Sequence, residues 1–296
     1  MVRMWLNEPL SFGGQAAAPA TPRQPRLSAA TAPLTRSIEV VDEYGQRRSI
    51  RIPAERPLTV YVDKRELVTL MTLGAHPEWL VLGYLRNQRL VTSLDDIESI
   101  TVDWDVGAAA VRTRGGLPDL EARTAQRVVT TGCGQGSVFG SLMDALDGIT
   151  LSPDARLRQS QLYGILRAVR EQDSTYKQAG SVHGCALFRG EELLLFVEDV
   201  GRHNAIDTIA GWMWLQGGEL LRGDDKVFYT TGRLTSEMII KAAQMGVPIV
   251  VSRSGTTQMG LEVAERMGLC AIGRATHTRF LCYTHPQRLV WDTPPP

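Results

Sequence analysis

Val227–Ile272 reads VFYTTGRLTSEMIIKAAQMGVPIVVSRSGTTQMGLEVAERMGLCAI. Three short apolar runs, Val227-Phe228-Tyr229, Ile249-Val250-Val251 and Leu269-Cys270-Ala271-Ile272, alternate with two segments of helical character. The first helix is expected over roughly 236–245, with Thr235 as N-cap, Gly246 as the stop and Pro248 beyond it. The second is expected over about 259–267, stopping at Gly268. Strands joined by single helices require right-handed crossovers, which predicts an α/β fold with a mainly parallel sheet. Ala186-Leu187-Phe188 and Leu193–Val197 read as further strands of the same half. Such sheets bind ligands outside the carboxyl ends of their strands.

The residues expected at those ends are polar and basic. After Val197 comes Glu198-Asp199-Val200-Gly201-Arg202-His203-Asn204, followed by a helix expected from about Ala205. Asn204 capping that helix and a Glu198–Arg202 ion pair would explain part of the cluster. Five polar groups converging on one turn also match a binding or catalytic site. Thr230-Thr231-Gly232-Arg233-Leu234-Thr235-Ser236 and Ser252-Arg253-Ser254-Gly255-Thr256-Thr257 each combine glycine, hydroxyls and one arginine before a helix. That combination suits a phosphate, although neither is a P-loop or a GxGxxG fingerprint, and singly each also reads as an ordinary capped turn. The next strand leads into Gly273-Arg274-Ala275-Thr276-His277-Thr278-Arg279, a glycine-led basic loop that could take a second phosphate or a nucleobase. His183, just before a strand, reads as a core histidine, and Cys185, Cys270 and Cys282 as structural thiols.

Cys133 differs from those three. It stands between glycines in Thr130-Thr131-Gly132-Cys133-Gly134-Gln135-Gly136, after the apolar pair Val128-Val129 and before a helix-like stretch over 137–146. Flanking glycines let another molecule approach the sulfur, and a helix N-terminus would favour the thiolate.

The chain has 296 residues, 43% hydrophobic and 22% charged, with zero formal net charge. This is ordinary globular composition. It gives no overall field toward nucleic acid or a membrane surface. Four widely spaced cysteines without a CxxC pair argue against a disulfide framework and a four-thiolate zinc site. With no apolar run of spanning length and no secretory signal pattern, a cytoplasmic location is expected. Residues 1–35, rich in Ala, Pro, Gly and Arg from about Ser11, are expected to form a flexible lead-in. Residues 36–125 read as a strand-rich α+β unit. It has strands at Ile38–Val41, Arg48–Ile52 (ended by Pro53) and Leu58–Val62, a helix at Pro77–Arg86 and strands near 100–111. Residues 126–296 form the α/β domain that carries the site.

With these segments placed, the chain resembles the formate dehydrogenase accessory sulfurtransferase family, FdhD. The residues that carry the resemblance run from Glu198 through Asp207, from Thr231 to Met238 and from Val250 to Ser254, with the Gly132-Cys133-Gly134 turn and Tyr283-Thr284-His285-Pro286. It covers roughly 34–290, and the EDVGRHNAID run is far more specific than a short glycine motif. The resemblance implies a cytidine-deaminase-like three-layer core without the deaminase zinc. Consistent with that, no H-x-E with P-C-x-x-C pattern is present. It also implies that Cys133 takes sulfur as a persulfide from a cysteine desulfurase. The acceptor would be a molybdenum (or tungsten) bis-guanine-dinucleotide cofactor destined for the formate dehydrogenase catalytic subunit. The implied cofactor-contacting loop is Gly273 to Arg279. A polyanionic cofactor suits Arg202, His203, Asn204, Arg233 and Arg253 as further contacts, with His203 or His183 open as the group that holds the thiolate or moves a proton. A homodimer is expected, with no nucleic-acid or membrane partner.

Gly136 departs from the pattern, because many members carry a second loop cysteine there. The departure admits a second reading, a non-enzymatic cofactor chaperone in which Cys133 is incidental. A third reading, a cysteine hydrolase using Cys133, His203 and Asp199, has its residue types but no spacing that defines an oxyanion hole.

Overall fold

The computed structural model describes residues 23–117 and 148–293. Cys133 and the 126 boundary lie outside these.

The first half runs β1 (Arg26–Leu27), β2 (Thr35–Val41), β3 (Arg47–Pro53), β4 (Arg56–Val62), β5 (Arg65–Thr72), α1 (Pro77–Asn87), β6 (Ile97–Asp103) and β7 (Ala108–Thr113). β4 shows why a strand forms here. Leu58, Val60 and Val62 alternate inward and are fully buried, with half-buried or exposed residues between them. A five-stranded sheet takes the order β1-β6-β7-β4-β5, while β2 and β3 form a separate exposed hairpin. The expected lead-in therefore stops short of residue 35. Arg26 and Leu27 pair with Ser99 and Ile100, and Pro25 is buried. A Pro- and Ala-rich composition does not prevent two residues from closing a sheet edge.

The second half runs β8 (Leu157–Arg158), α2 (Gln159–Glu171), α3 (Thr175–Ala179), β9 (His183–Arg189), β10 (Glu192–Asp199), α4 (Arg202–Gln216), α5 (Gly218–Leu221), β11 (Lys226–Thr230), α6 (Ser236–Gln244), β12 (Ile249–Ser252), α7 (Gln258–Arg266), β13 (Cys270–Thr276), β14 (Arg279–Cys282) and β15 (Leu289–Val290). Six strands pair in the order β10-β9-β11-β12-β13-β14. The quoted stretch folds as read, with β11, β12 and β13 parallel and helices between them. The sheet as a whole is mixed rather than mainly parallel, because the β9–β10, β9–β11 and β13–β14 pairs are antiparallel. Two-residue turns at Gly190-Glu191 and His277-Thr278 are too short for a crossover, so they force hairpins.

Helices cover both faces. Cys185, Leu187, Phe228, Val250 and Ala271 pack under α4, α6 and α7, while Ala186, Phe188, Tyr229, Val251 and Ile272 face α2. α4 is buried almost all round because it lies between two cores. Ile206, Ile209 and Met213 join the six-stranded sheet's core, and Trp214 joins that of the five-stranded sheet. α1 crosses α4 at Gly83 and Gly211. A β-carbon on Gly83 would stand 1.7 Å from the Asp207 carbonyl oxygen, and one on Gly211 would stand 2.0 Å from that of Trp79. Only glycine allows this approach.

Candidate functional site at the strand ends

The carboxyl ends of β11, β12 and β13 open on a cavity of about 290 Å³. Its rim carries exposed Arg170, Lys177, Arg253 and His277, and its wall includes Tyr176, Phe196 and Tyr229. Glu198 is the one carboxylate in the lining among the described residues. It accepts hydrogen bonds from the backbone N–H groups of Thr175 and Tyr176, 2.5 and 3.1 Å away. Glu198 therefore holds the start of α3 rather than pairing with Arg202. Burial raises the Tyr229 phenol to about 12, so it stays protonated. The chamber is thus positive at its mouth and aromatic within.

The loop singled out in sequence divides between two cavities. Ala275, Thr276 and His277 line the first. Thr278 and Arg279 line a second, of about 650 Å³, with Tyr163, Phe280, Cys282 and Trp291. Gly273 and Arg274 line neither. A β-carbon on Gly273 would meet the Tyr283 ring at 2.6 Å and the Ser254 carbonyl oxygen at 2.9 Å, so glycine lets β13 pass the loop after β12. The Arg274 N–H donates to the same Ser254 carbonyl, at 2.6 Å. Arg233 is exposed and lines neither cavity.

Arg202, His203 and Asn204 sit elsewhere, buried in the first turn of α4, which begins three residues earlier than expected. Asn204 does not cap that helix. Its side-chain Nδ2 donates to the Met71 carbonyl at 2.7 Å and to Asp199 Oδ1 at 2.8 Å. Asp199 also accepts from the Thr72 hydroxyl at 2.5 Å, the Leu73 N–H at 3.1 Å and the Gly201 N–H at 3.0 Å. These two side chains tie the end of β10 to the end of β5. Asp199 is so committed, and among the described residues no hydrogen bond joins it to His203; Cys133, the nucleophile of the hydrolase reading, lies outside them.

His203 Nε2 lies 3.2 Å from Glu237 Oε2 without hydrogen-bond alignment. Burial, aided by Lys241, Arg202 and His183, lowers its pKa to about 2, so the ring is neutral. Arg202 Nε, His203 Nε2 and Thr235 Oγ1 are buried polar atoms without a hydrogen-bond partner. They stand at the starts of α4 and α6, and each costs free energy unless something pairs with it. His183 is half-buried and its pKa is lowered by burial and then by Arg202.

Sequence reading missed Arg170, Lys177 and Tyr176, brought to the cavity by α2 and α3, neither of which was foreseen. It also missed the buried ion pair of Asp207 with Lys241, 2.8 Å apart. Cys185 behaves as expected: burial raises its pKa to about 12, and its Sγ lies 3.3 Å from Thr230 Oγ1. Among the described residues no three His, Cys, Asp or Glu side chains cluster to hold a metal, and no helix is long and apolar enough to cross a membrane.

A family model described as the FdhD/NarQ family matches residues 53–290. The chain belongs to the FdhD/NarQ family. Curated relatives carry the name sulfur carrier protein FdhD. That of Bacillus subtilis is 32% identical over 81% of this chain and 90% of its own length. Those of Halalkalibacterium halodurans and Bacillus pumilus are each 31% identical, over 86% and 87% of this chain and 93% and 99% of theirs. A crystal structure from Desulfotalea psychrophila, assigned as a formate dehydrogenase accessory protein, aligns with a TM-score of 0.69 at 25% identity, covering 87% of this chain and all of that one. The FdhD/NarQ match embraces the six-stranded sheet, β4 to β7 of the five-stranded sheet and every described residue of the strand-end cavity.

Proposed function

We propose that this protein is a sulfur carrier for formate dehydrogenase maturation. It takes sulfur from a cysteine desulfurase onto Cys133 and delivers it to a molybdenum (or tungsten) bis-guanine-dinucleotide cofactor, which is its cargo. The observation that carries this reading is the strand-end cavity, in a chain whose relatives are named sulfur carriers. Among the described residues, three cations at the rim face one carboxylate, already bonded to two amides, which suits phosphate. Tyr176, Phe196 and Tyr229 suit a flat ring. A chamber of about 290 Å³ takes one nucleotide end rather than the whole cofactor. Arg202 Nε, His203 Nε2 and Thr235 Oγ1, unpaired and buried nearby, are donors and acceptors for another polar part of the cargo. The helix–sheet–helix layering agrees with a cytidine-deaminase-like core.

In the transfer, the Cys133 thiolate attacks the outer sulfur of the donor's persulfide. The donor's cysteine leaves as thiolate, and Cys133 carries the persulfide until the acceptor removes its terminal sulfur. His203, neutral and with Nε2 unpaired, offers a ring nitrogen beside Arg202 for a polar group of the cargo, but it does not take up a proton there. The reading places the protein in the cytoplasm as a homodimer, which sedimentation measures directly.

The test is Cys133→Ala. The variant should fold and bind guanosine diphosphate as the parent does, yet fail to mature formate dehydrogenase. Full maturation by the variant overturns the carrier role. Gly136, standing where relatives of this pattern often have a second cysteine, favours one other reading, a chaperone that only holds the cofactor. Incubation with desulfurase and radiolabelled cysteine separates them. Label retained on Cys133 supports the carrier, and binding without label supports the chaperone.

A further inference from the structure

β13 and β14 pair so that Ile272 faces Cys282 and the Tyr283 N–H donates to the Ala271 carbonyl at 2.8 Å. Cys270 is therefore two steps along β13 from the residue opposite Cys282, on the same face of the hairpin. The two sulfurs are 3.7 Å apart. Their environments differ. Cys270 is fully buried, while Cys282 is half-buried and lines the cavity of about 650 Å³ beside Tyr163, Phe280 and Trp291. The Cys282 Sγ also lies 3.3 Å from the Thr284 carbonyl oxygen. The hydrogen bond between the two thiols lowers the Cys282 pKa, and the same bond, with burial, raises that of Cys270. One sulfur is thus the reachable nucleophile, and its neighbour is a protonated thiol waiting behind it. Two merely structural thiols would need neither the contact nor the opening to solvent.

We propose that Cys270 and Cys282 are a redox modification site: a hydroperoxide entering the second cavity converts them to a reversible disulfide that clamps the β13–β14 hairpin. The Cys282 thiolate attacks the peroxide's outer oxygen, the O–O bond breaks and the alcohol or water leaves, giving a sulfenic acid. The Cys270 sulfur then displaces that oxygen as water. In sum, two thiols lose two electrons and two protons, and the hydroperoxide is reduced to alcohol and water. Closure brings the sulfurs from 3.7 Å to the disulfide length of about 2.05 Å. The strands already break regular pairing between Gly273 and Thr276, so the hairpin is not a rigid ladder that would resist a small shift. The clamp would join the two strands that lead to and from His277 at the tip.

Trypsin cuts after Arg266, Arg274, Arg279 and Arg288, which puts the two cysteines in separate peptides, 267–274 and 280–288. The full reduced chain is exposed to equimolar cumene hydroperoxide, its remaining thiols are alkylated, and the digest is weighed. The expected product is these two peptides joined, two hydrogens lighter than their sum and separated again by dithiothreitol. In Cys270→Ser, Cys282 should instead stay as a sulfenic acid that dimedone labels. Amide hydrogen exchange over 270–282 should slow in the oxidised parent and recover on reduction. Oxidation of Cys282 to sulfinic acid with Cys270 still a free thiol overturns the proposal, as does a Cys282 linked to Cys133. A link that forms only in denaturant overturns it too, and unchanged exchange in the linked protein overturns the clamp. The first measurement uses the unmutated chain, so a variant that fails to fold does not weaken it.

Discussion

The run Glu198–Asp207 and the segment Gly273–Arg279 looked alike in sequence, both polar, arginine-bearing and glycine-bearing, yet they do different work. In the first, Glu198, Asp199, Asn204 and Asp207 are bonded to α3, β5, α1 and α6, and only Arg202 and His203 keep unpaired nitrogens. In the second, Gly273 to Thr276 continue β13 against β14, the Arg274 N–H also donates to Ser254, and five of the seven residues line one cavity or the other. A dense polar run in a buried turn is first a joint between layers. The expected loop is thus mostly the end of β13, and its exposed turn, His277-Thr278, is free to meet a ligand.

The largest effect expected from this contrast concerns Lys241. Its Nζ and Asp207 Oδ2 are 2.8 Å apart, both side chains are almost wholly out of solvent, and Asp207 also accepts from Asn87 Nδ2 at 2.7 Å. Lys241→Met leaves that carboxylate buried without its cation, which costs about 3–5 kcal/mol. Urea unfolding should show the loss. Adding Asp207→Leu to Lys241→Met should recover most of it, because the uncompensated charge is then gone. If the single variant loses less than about 1 kcal/mol, the range of ordinary surface changes, the run is not a joint.

Next comes the pH dependence of the same region. His203 has a pKa near 2 when folded and 6.5 as its ordinary value, so below pH 6.5 the unfolded chain binds a proton that the folded chain refuses. Stability then falls as pH drops below 6.5, by up to about 1.4 kcal/mol per pH unit from this ring alone. Lys241, Arg202, His183 and Glu237 surround it, and half-buried His183, also lowered, adds in the same direction. His203→Gln removes the titration. Its stability should decline less steeply than the parent's between pH 6.5 and 5 in urea titrations, and parallel curves would show the ring to be protonated when folded.

On the other side of the comparison, Arg253→Ala strips one cation from the cavity rim, where no described ion pair depends on it. Loss of one charge-assisted hydrogen bond to phosphate corresponds to a guanosine diphosphate affinity about tenfold weaker or more, at an unchanged melting temperature. Calorimetric titration at two salt concentrations checks both the loss and its electrostatic origin.

These outcomes bear on what a sequence can show. The β11-to-β13 unit was legible because apolar runs, N-cap positions and Gly246 and Gly268 agree on one pattern at every step. α2 was legible in principle, since Leu162, Ile165, Leu166 and Val169 recur at helical spacing, but its place over the cavity was not. Lys177 and Tyr176 ride on a five-residue helix whose position is set by Glu198, far along the chain. The Asp207–Lys241 pair and the Cys270–Cys282 contact join residues 34 and 12 positions apart. No local periodicity encodes such pairings. They exist only once sheet order and strand register are known, and the mixed sheet shows that the order itself turned on two-residue hairpins.

Arg233 gives the smallest expected effect and the sharpest test of the distinction. In sequence it is Arg253's counterpart, one arginine among glycine and hydroxyls after a parallel strand. In the fold, Arg253 reaches the cavity, whereas Arg233 points from an exposed turn that lines neither cavity. Arg233→Ala should therefore change stability by no more than about 0.5 kcal/mol, the usual range for surface substitutions. Its guanosine diphosphate affinity should stay within about twofold of the parent's, a difference of roughly 0.4 kcal/mol. A tenfold loss equal to that of Arg253→Ala would mean that the nucleotide lies across the strand ends toward the start of α6. The unpaired Arg202 Nε, His203 Nε2 and Thr235 Oγ1 would then be its partners, and the buried run would be part of the nucleotide seat as well as a joint.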